Sequence, residues 1–232
     1  MRTRKNASSP FGMVLYLTKD EIDKMCEDAL REAKFLPDKP AAIKIDQFIE
    51  AYFKCNLDFG TDLGADVMGF TFFSPKAAPV VVGVSPILCD GTQVNDRRVR
   101  TTLAHEAGHC LIHPILFMPD IDTSSLFGTN VDVKKRQILC RQQDFEGGRG
   151  YDGRWWEFQA NCAIGSFLLP KQLFKTACEK FLAPVGSLGM KEIPPSKREI
   201  AARELSEIFD VNPKVVTIRL NNLFPASRQP EL

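Results

Sequence analysis

The sequence has little of several things that mark particular classes of protein. It has three histidines, a net charge of +1, and no apolar run near the roughly 20 residues that a membrane-spanning helix needs. A charge this small favours neither nucleic acid nor an anionic membrane surface as a partner. The seven cysteines are an odd number without a C-x-x-C pair, which favours reduced thiols in a cytoplasmic protein over a disulfide framework. The basic start of the chain is not followed by an apolar core, so a secretory signal is not expected.

What is present is the composition of an ordinary globular protein, with 44% hydrophobic and 25% charged residues. A chain of 232 residues can bury one large core, with room for a small appendage. Helical and strand patterns are both present, which predicts an α+β fold with a small sheet. We expect a flexible lead-in over residues 1–17, a main domain over 18–183, and a C-terminal helical segment over 184–232 packed on it.

The most informative stretch is an H-E-x-x-H motif that runs from His105 to His109. On a helix, residues four apart lie on one face, so the two imidazoles can bind one metal ion. Glu106 then lies beside the pair, where it can deprotonate a water molecule on the metal without being a ligand. The alternative is a buried helix that holds two hydrogen-bonded histidines.

A catalytic zinc site usually has three protein ligands, so the motif predicts a third ligand further along the chain. The segment from about Arg154 to Leu169 is typical of a helix that ends at Pro170, and it carries Glu157 and Asn161 on one face. Glu157 would complete a His-His-Glu set, and Asn161 could hydrogen-bond a ligand imidazole and fix its tautomer. Without the motif, Glu157 would be read as a solvated helix carboxylate.

These strings resemble the ImmA/IrrE-type zinc metallopeptidases. The matching segments are "TTLAHEAGHCLIH" and "WWEFQANCAIGSFLLP", with weaker likeness in "KIDQFIEAYF", "VMGFTFF" and "IAARELSEIFDVNPKVVTIRL". The resemblance implies a zincin-like (gluzincin-type) metallopeptidase domain, a Zn²⁺ cofactor, and cleavage of a helix-turn-helix repressor in the cytoplasm. The stretch 114–153 is an insertion that separates the two metal strings by more than is usual in such proteins.

The segments that precede the metal motif predict two helices and two strands. Thr18 and Glu21 form a capping box for a helix to about Lys34, and a second helix covers about 43–54. Val67 to Phe73 and Val80 to Leu88 are the strand candidates. The second strand either pairs with an extended substrate or is an interior strand that is paired on both sides.

The ends of the metal helix carry other polar residues. Asn95 or Asp96 is expected to cap its start, and the arginines at 97, 98 and 100 are expected on a solvated face, with an acidic partner as the alternative. Pro114 should end the helix. His113 lies eight residues from His105, about 12 Å along a rigid helix, so the three histidines cannot share one ion. We expect His113 to support the site or the structure, with substrate contact as the alternative.

The insertion predicts a short strand at about 136–141 and a glycine-rich mobile loop at 146–153, a candidate lid. Cys140 is expected to be an ordinary buried thiol, although a thiolate there would bind zinc and could be regulated by oxidation. Tyr151 and Arg154 are candidates for stabilising the oxyanion, because they are polar and close to Glu157 in sequence.

The C-terminal segment predicts two helices that resemble a helix-turn-helix. Ser196 and Glu199 suggest a capping box for the first, and Asn212 followed by Pro213 suggests the start of the second. The second helix carries only Lys214 and Arg219 as basic residues, few for phosphate contact. We therefore expect core packing or partner docking rather than DNA reading.

Together these patterns predict a zinc-dependent endopeptidase with a protein substrate. By the resemblance, that substrate is a helix-turn-helix repressor in a stress response or in control of a mobile element. The alternatives are a zinc-stabilised module that binds a repressor without cutting it, and a DNA-binding regulator. The intact Glu106 argues against both alternatives, since a structural metal site needs no base.

Overall fold

The structure is a computed structural model that describes residues 2–62, 64–74, 76–117, 137–141, 153–185 and 190–225. Its helices are α1 (Lys19–Glu32), α2 (Ile45–Phe53), α3 (Gln93–Ile112), α4 (Trp155–Leu168), α5 (Lys171–Cys178), α6 (Pro195–Phe209) and α7 (Pro213–Leu223). Its strands are β1 (Arg2–Lys5), β2 (Met13–Tyr16), β3 (Asn56–Asp58), β4 (Val67–Phe73), β5 (Pro79–Val84), β6 (Gln137–Arg141), β7 (Ala183–Val185) and β8 (Met190–Glu192). The fold is α+β, as predicted. Within the described ranges, no helix has both the length and the apolar character that crossing a membrane requires.

The main sheet has the strand order β3-β5-β4-β6 and is mostly antiparallel. Strand β4 pairs antiparallel with β5 and β6, whereas β3 pairs parallel with β5. Residues 81–83 of β5 therefore have neighbours on both sides, so the interior-strand alternative is the observed one. The main chain of these residues is not available to an extended substrate.

The N-terminal residues depart from the expected flexible lead-in. Strands β1 and β2 form an antiparallel hairpin, and Leu15 in β2 is only 1% exposed within the core. The prediction missed that β2 buries one of its side chains, Leu15, against the rest of the fold. Helix α1 then begins at the predicted capping box, in which Thr18 and Glu21 cap each other.

Helix α3 begins earlier than its expected caps. Thr92 is the N-cap, and its hydroxyl accepts from the amide of Asn95, so Asn95 and Asp96 lie inside the first turn. Arg97 is buried rather than solvated: its guanidinium donates to Glu207 at 2.9 Å and to Asp210 at 3.0 Å. The acidic partner that was the alternative is thus provided by the C-terminal segment of the same chain.

The C-terminal helices share the core with the rest of the fold. Helix α6 starts at Pro195 with Pro194 as N-cap, so Ser196 is already inside the helix and the expected capping box is wrong. Helix α7 starts at Pro213 and is capped by Asn212, as predicted. Arg219 is buried, donating to Asp23 at 2.7 Å and to the carbonyl of Leu169 at 3.1 Å. This basic residue serves packing and is not available to phosphate.

Candidate metal centre

The site is built where α3 crosses α4 at very short range. A Cβ atom placed on Gly108 would lie 2.7 Å from Cβ of Ala163 and 3.2 Å from Cα of Ala160. Only a glycine opposite alanines allows the two backbones to approach this closely. The short separation lets the imidazoles of α3 reach a carboxylate of α4.

Three side-chain atoms meet between these helices. Nε2 of His105 lies 3.0 Å from Nε2 of His109 and 3.1 Å from Oε2 of Glu157, and the remaining distance, from His109 to Glu157, is 3.6 Å. All three residues are buried. The structure therefore brings together the three residues that the sequence predicts as ligands, at a spacing suited to one ion.

The size of this triangle fits a divalent metal. Ligand nitrogens and oxygens lie about 2.0–2.1 Å from zinc, so two donors of a tetrahedral site are about 3.3 Å apart. The three observed distances bracket that value. The residues present can thus hold a metal ion through two imidazoles and one carboxylate, and a four-coordinate ion held there would have one position for another ligand.

Hydrogen bonds behind His109 set which of its nitrogens carries the proton. Nε2 of Gln159 donates to the carbonyl of Leu15 at 2.7 Å, which turns its Oε1 toward Nε2 of His113 at 3.2 Å. Because Oε1 of Gln159 can only accept, Nε2 of His113 must donate to it. Nδ1 of a neutral His113 then accepts from Nδ1 of His109 at 2.9 Å. Nε2 of His109 is then left with a lone pair directed at the site.

His105 is oriented in the same way from the other side. Its Nδ1 lies 3.1 Å from Oδ1 of Asn161, and an amide oxygen can only accept, so the proton is on Nδ1. Its Nε2 lone pair therefore also points at the site. Two lone pairs and a carboxylate oxygen facing one another need a cation between them, and this is the arrangement that metal ligands adopt.

The charges around the site are strongly coupled. Burial opposes ionisation of Glu157, but the facing imidazoles outweigh it and hold the pKa of this carboxyl far below its ordinary value. Burial likewise opposes a charge on His105, yet the Glu157 carboxylate raises the pKa of this imidazole. Burial, together with the nearby His109, lowers the pKa of His113 well below its ordinary value, which keeps that ring neutral. A proton and a metal ion thus compete for Nε2 of His105.

Glu106 follows His105 in α3, and its side chain is directed toward the sheet. Its Oε2 accepts from the hydroxyl of Thr71 in β4 at 2.6 Å, and the residue is fully buried. Strand β4 comes this close because residue 69 is glycine: a Cβ there would lie 2.9 Å from Oε1 of Glu106 and 2.5 Å from Cγ2 of Thr102. The carboxylate predicted to be the base therefore accepts a hydrogen bond from a hydroxyl of the sheet.

Cys140 is buried, as expected, but it is not in ordinary surroundings. Its Sγ, a nitrogen of His105 and a carboxylate oxygen of Glu106 all lie within 4.8 Å of one another. They form a second group that could hold a metal ion, overlapping the first at His105. The thiol of Cys140 thus borders the predicted site on the side of Glu106.

Other predicted residues are placed as follows. Tyr151 and all of the candidate lid except Gly153 lie outside the described residues, so these predictions stay open. Arg154 occupies the N-cap position of α4. The sequence reasoning missed Thr71 and Gln159, whose contacts span 35 and 46 positions and leave no local periodic signal.

Comparison of the sequence with models of protein families and with curated proteins finds no match.

Proposed function

We propose that this chain is a zinc-dependent endopeptidase with a zincin-like domain of the ImmA/IrrE type. The observation that carries the proposal is the convergence of Nε2 of His105, Nε2 of His109 and Oε2 of Glu157 on one point, with the Glu106 carboxylate next to His105. Two histidine nitrogens and a carboxylate are a ligand set of catalytic zinc sites, which keep one position for water or substrate.

The residues divide the chemistry between them. Zinc held by His105, His109 and Glu157 would acidify a water molecule and polarise the scissile carbonyl. The Glu106 carboxylate would accept a proton from the attacking water and pass it to the leaving amine, as a general base and then a general acid. Asn161 and His113 hold the two imidazoles in the tautomers that direct lone pairs inward.

The substrate we propose is a helix-turn-helix repressor in the cytoplasm, in a stress response or in control of a mobile element. The sequence resemblance supports this identity. Direct nucleic-acid binding has little support, because Arg219, one of the two basic residues of α7, is buried against Asp23.

Two measurements on the purified protein test the proposal. Elemental analysis should find about one zinc per chain in the parent and in Glu106→Gln, and much less in His105→Ala and Glu157→Ala. Incubation with candidate repressors should give fragments that disappear with a chelator and in Glu106→Gln, a loss of about 10²–10⁴-fold for a general base. Cleavage by Glu106→Gln at the parental rate would show that Glu106 is not the base. A stable complex with no fragment would favour a binding module.

A further inference from the structure

A groove runs beside the metal centre and has no part in the mechanism above. It has a volume of about 440 Å³ and lies between the first half of α3, the outer face of α4, and α7. It also reaches Asn161, the residue that faces His105 across 3.1 Å. A chain segment bound in this groove would therefore lie near the Nδ1 side of His105, with Asn161 between it and that ring.

The floor of the groove is apolar, and part of it is exposed. Phe158 in α4 is 47% exposed and Ile218 in α7 is 50% exposed, beside buried Met68, Ile164 and Val215. Large side chains at these exposures, on two helices that face one groove, form an apolar surface suited to the side chains of a partner.

The rim of the groove is basic. Lys19, Arg98 and Lys214 line it, and the described lining residues include no aspartate or glutamate. Lys19 donates to the amide oxygen of Asn222 and Arg98 to that of Asn95, while Lys214 makes no ion pair with any described residue. These three positive charges are thus available to a carboxylate, in a chain whose net charge is only +1.

We propose that this groove binds a segment of the protein substrate that carries both acidic and apolar side chains. The proposal rests on the peptidase function proposed above and adds the class of sequence that is recognised. Thr101, Asn212 and Asn222 also line the groove. Beyond the hydrogen bonds that they already make, the Thr101 hydroxyl can accept from a peptide main chain and the two amide groups can donate to it. Duplex DNA fits less well, because it needs more cations than these three and gains little from an apolar floor.

The test is peptide binding by the full chain as Glu106→Gln loaded with zinc, so that cleavage does not interfere. The probes are a fluorescein-labelled amphipathic peptide of leucine and glutamate and the same peptide with lysine at every glutamate position. Fluorescence anisotropy should show binding of the glutamate peptide and at least about tenfold weaker binding of the lysine peptide, because like charges oppose association.

Two pairs of variants locate the binding. Ile218→Asp should weaken binding of the glutamate peptide by about tenfold or more, whereas Ile200→Asp, at a 54% exposed position of α6 outside the groove, should not. Lys214→Gln should weaken it up to about fivefold, as loss of one exposed ion pair does, and Lys197→Gln should not.

Several results would overturn the groove proposal. They are equal binding of the two peptides, unchanged binding by Ile218→Asp and Lys214→Gln, and preferential binding of duplex DNA that is lost in Lys214→Gln. The readout is independent of hydrolysis. If the chain binds the peptide but the parent cleaves no repressor, the groove proposal stands and the peptidase proposal is wrong. If the parent cleaves a repressor and Ile218→Asp cleaves it at the same rate, the peptidase proposal stands and the groove proposal is wrong.

Discussion

Two buried carboxylates lie on different faces of α3 and have different surroundings: Glu157, which comes from α4, and Glu106, which belongs to α3 itself. Toward α4, Glu157 faces two imidazole nitrogens at 3.1 and 3.6 Å. Toward the sheet, Glu106 accepts a hydrogen bond from the hydroxyl of Thr71 at 2.6 Å. The first set offers only acceptors to a shared point, which suits a cation. The second fixes a carboxylate and leaves it the capacity to take a proton. This difference in environment, between residues of the same type, is the basis for the ligand role proposed for Glu157 and the base role proposed for Glu106.

The largest effect that can test this difference is loss of the carboxylate on the α4 side. Glu157→Ala removes one of three donor atoms and should lower zinc affinity by more than the roughly 100-fold that loss of a ligand's hydrogen-bond partner can cost. Competition with a chromophoric chelator measures it. Glu106→Gln is the control and should keep parental affinity; an equal loss there would mean that the two faces do not differ.

Removing the support behind His109 should have the next largest effect. In Gln159→Leu, Nε2 of His113 loses its hydrogen-bond acceptor. Nothing then fixes which ring nitrogen carries the proton in His113 and in His109. Zinc affinity should fall about 10- to 100-fold, while the exposed Gln47→Leu should leave it unchanged. Nitrogen NMR of the metal-free protein should show a mixed tautomer at His109. A His109 ring still protonated only at Nδ1 would contradict this role.

The helix contact itself is tested by two helical glycines. Gly108→Ala places a methyl group 2.7 Å from Cβ of Ala163, and overpacking of this kind costs about 1–3 kcal/mol. Gly165→Ala meets Cδ of Arg219 at an ordinary 3.4 Å, so it should stabilise by about 0.5–1 kcal/mol through helix propensity. Urea unfolding measures both free energies. Equal shifts in the same direction would show that α3 and α4 have room to separate.

The smallest expected effect is on the sheet side. Thr71→Val removes the hydroxyl that donates a hydrogen bond to Glu106. Cleavage should slow by about tenfold, which corresponds to the low end of the free energy of a hydrogen bond to a charged group. Zinc affinity should not change, because Thr71 hydrogen-bonds to Glu106, which is not one of the three proposed ligands. Thr71→Ser should restore the rate. A loss of zinc in Thr71→Val would show that the two sides of α3 are not independent.

Much of the candidate site follows from local sequence. Histidines four apart predict a shared helix face, and the predicted bounds of α3 and α4 agree with the structure to within a few residues. The capping box at Thr18 was predicted for the same reason, because its donors and acceptors lie within one turn. The ligand roles and the peptidase activity stay predictions, since geometry alone does not assign them.

The rest depends on contacts between distant parts of the chain. Arg97 was expected in solvent, because its partners Glu207 and Asp210 lie 110 and 113 positions later. Thr71 and Gln159 were missed since no periodicity shows which residues of β4 and α4 face α3. The burial of Leu15 in the N-terminal hairpin was missed because it depends on a surface formed by later elements. Tertiary packing decided each of these cases.

The carbonyl of Leu15 fixes the orientation of the Gln159 amide. Through that amide it sets the direction of the hydrogen bonds that join His113 to His109, here called the imidazole relay. A version of the chain that starts after residue 16 lacks this acceptor, so the amide can rotate by half a turn and present its NH₂ group to His113. The relay could then run backwards and leave a proton on Nε2 of His109, where the ion should bind. Preparations that lack residues 1–16 would therefore report the metal content of an altered protein.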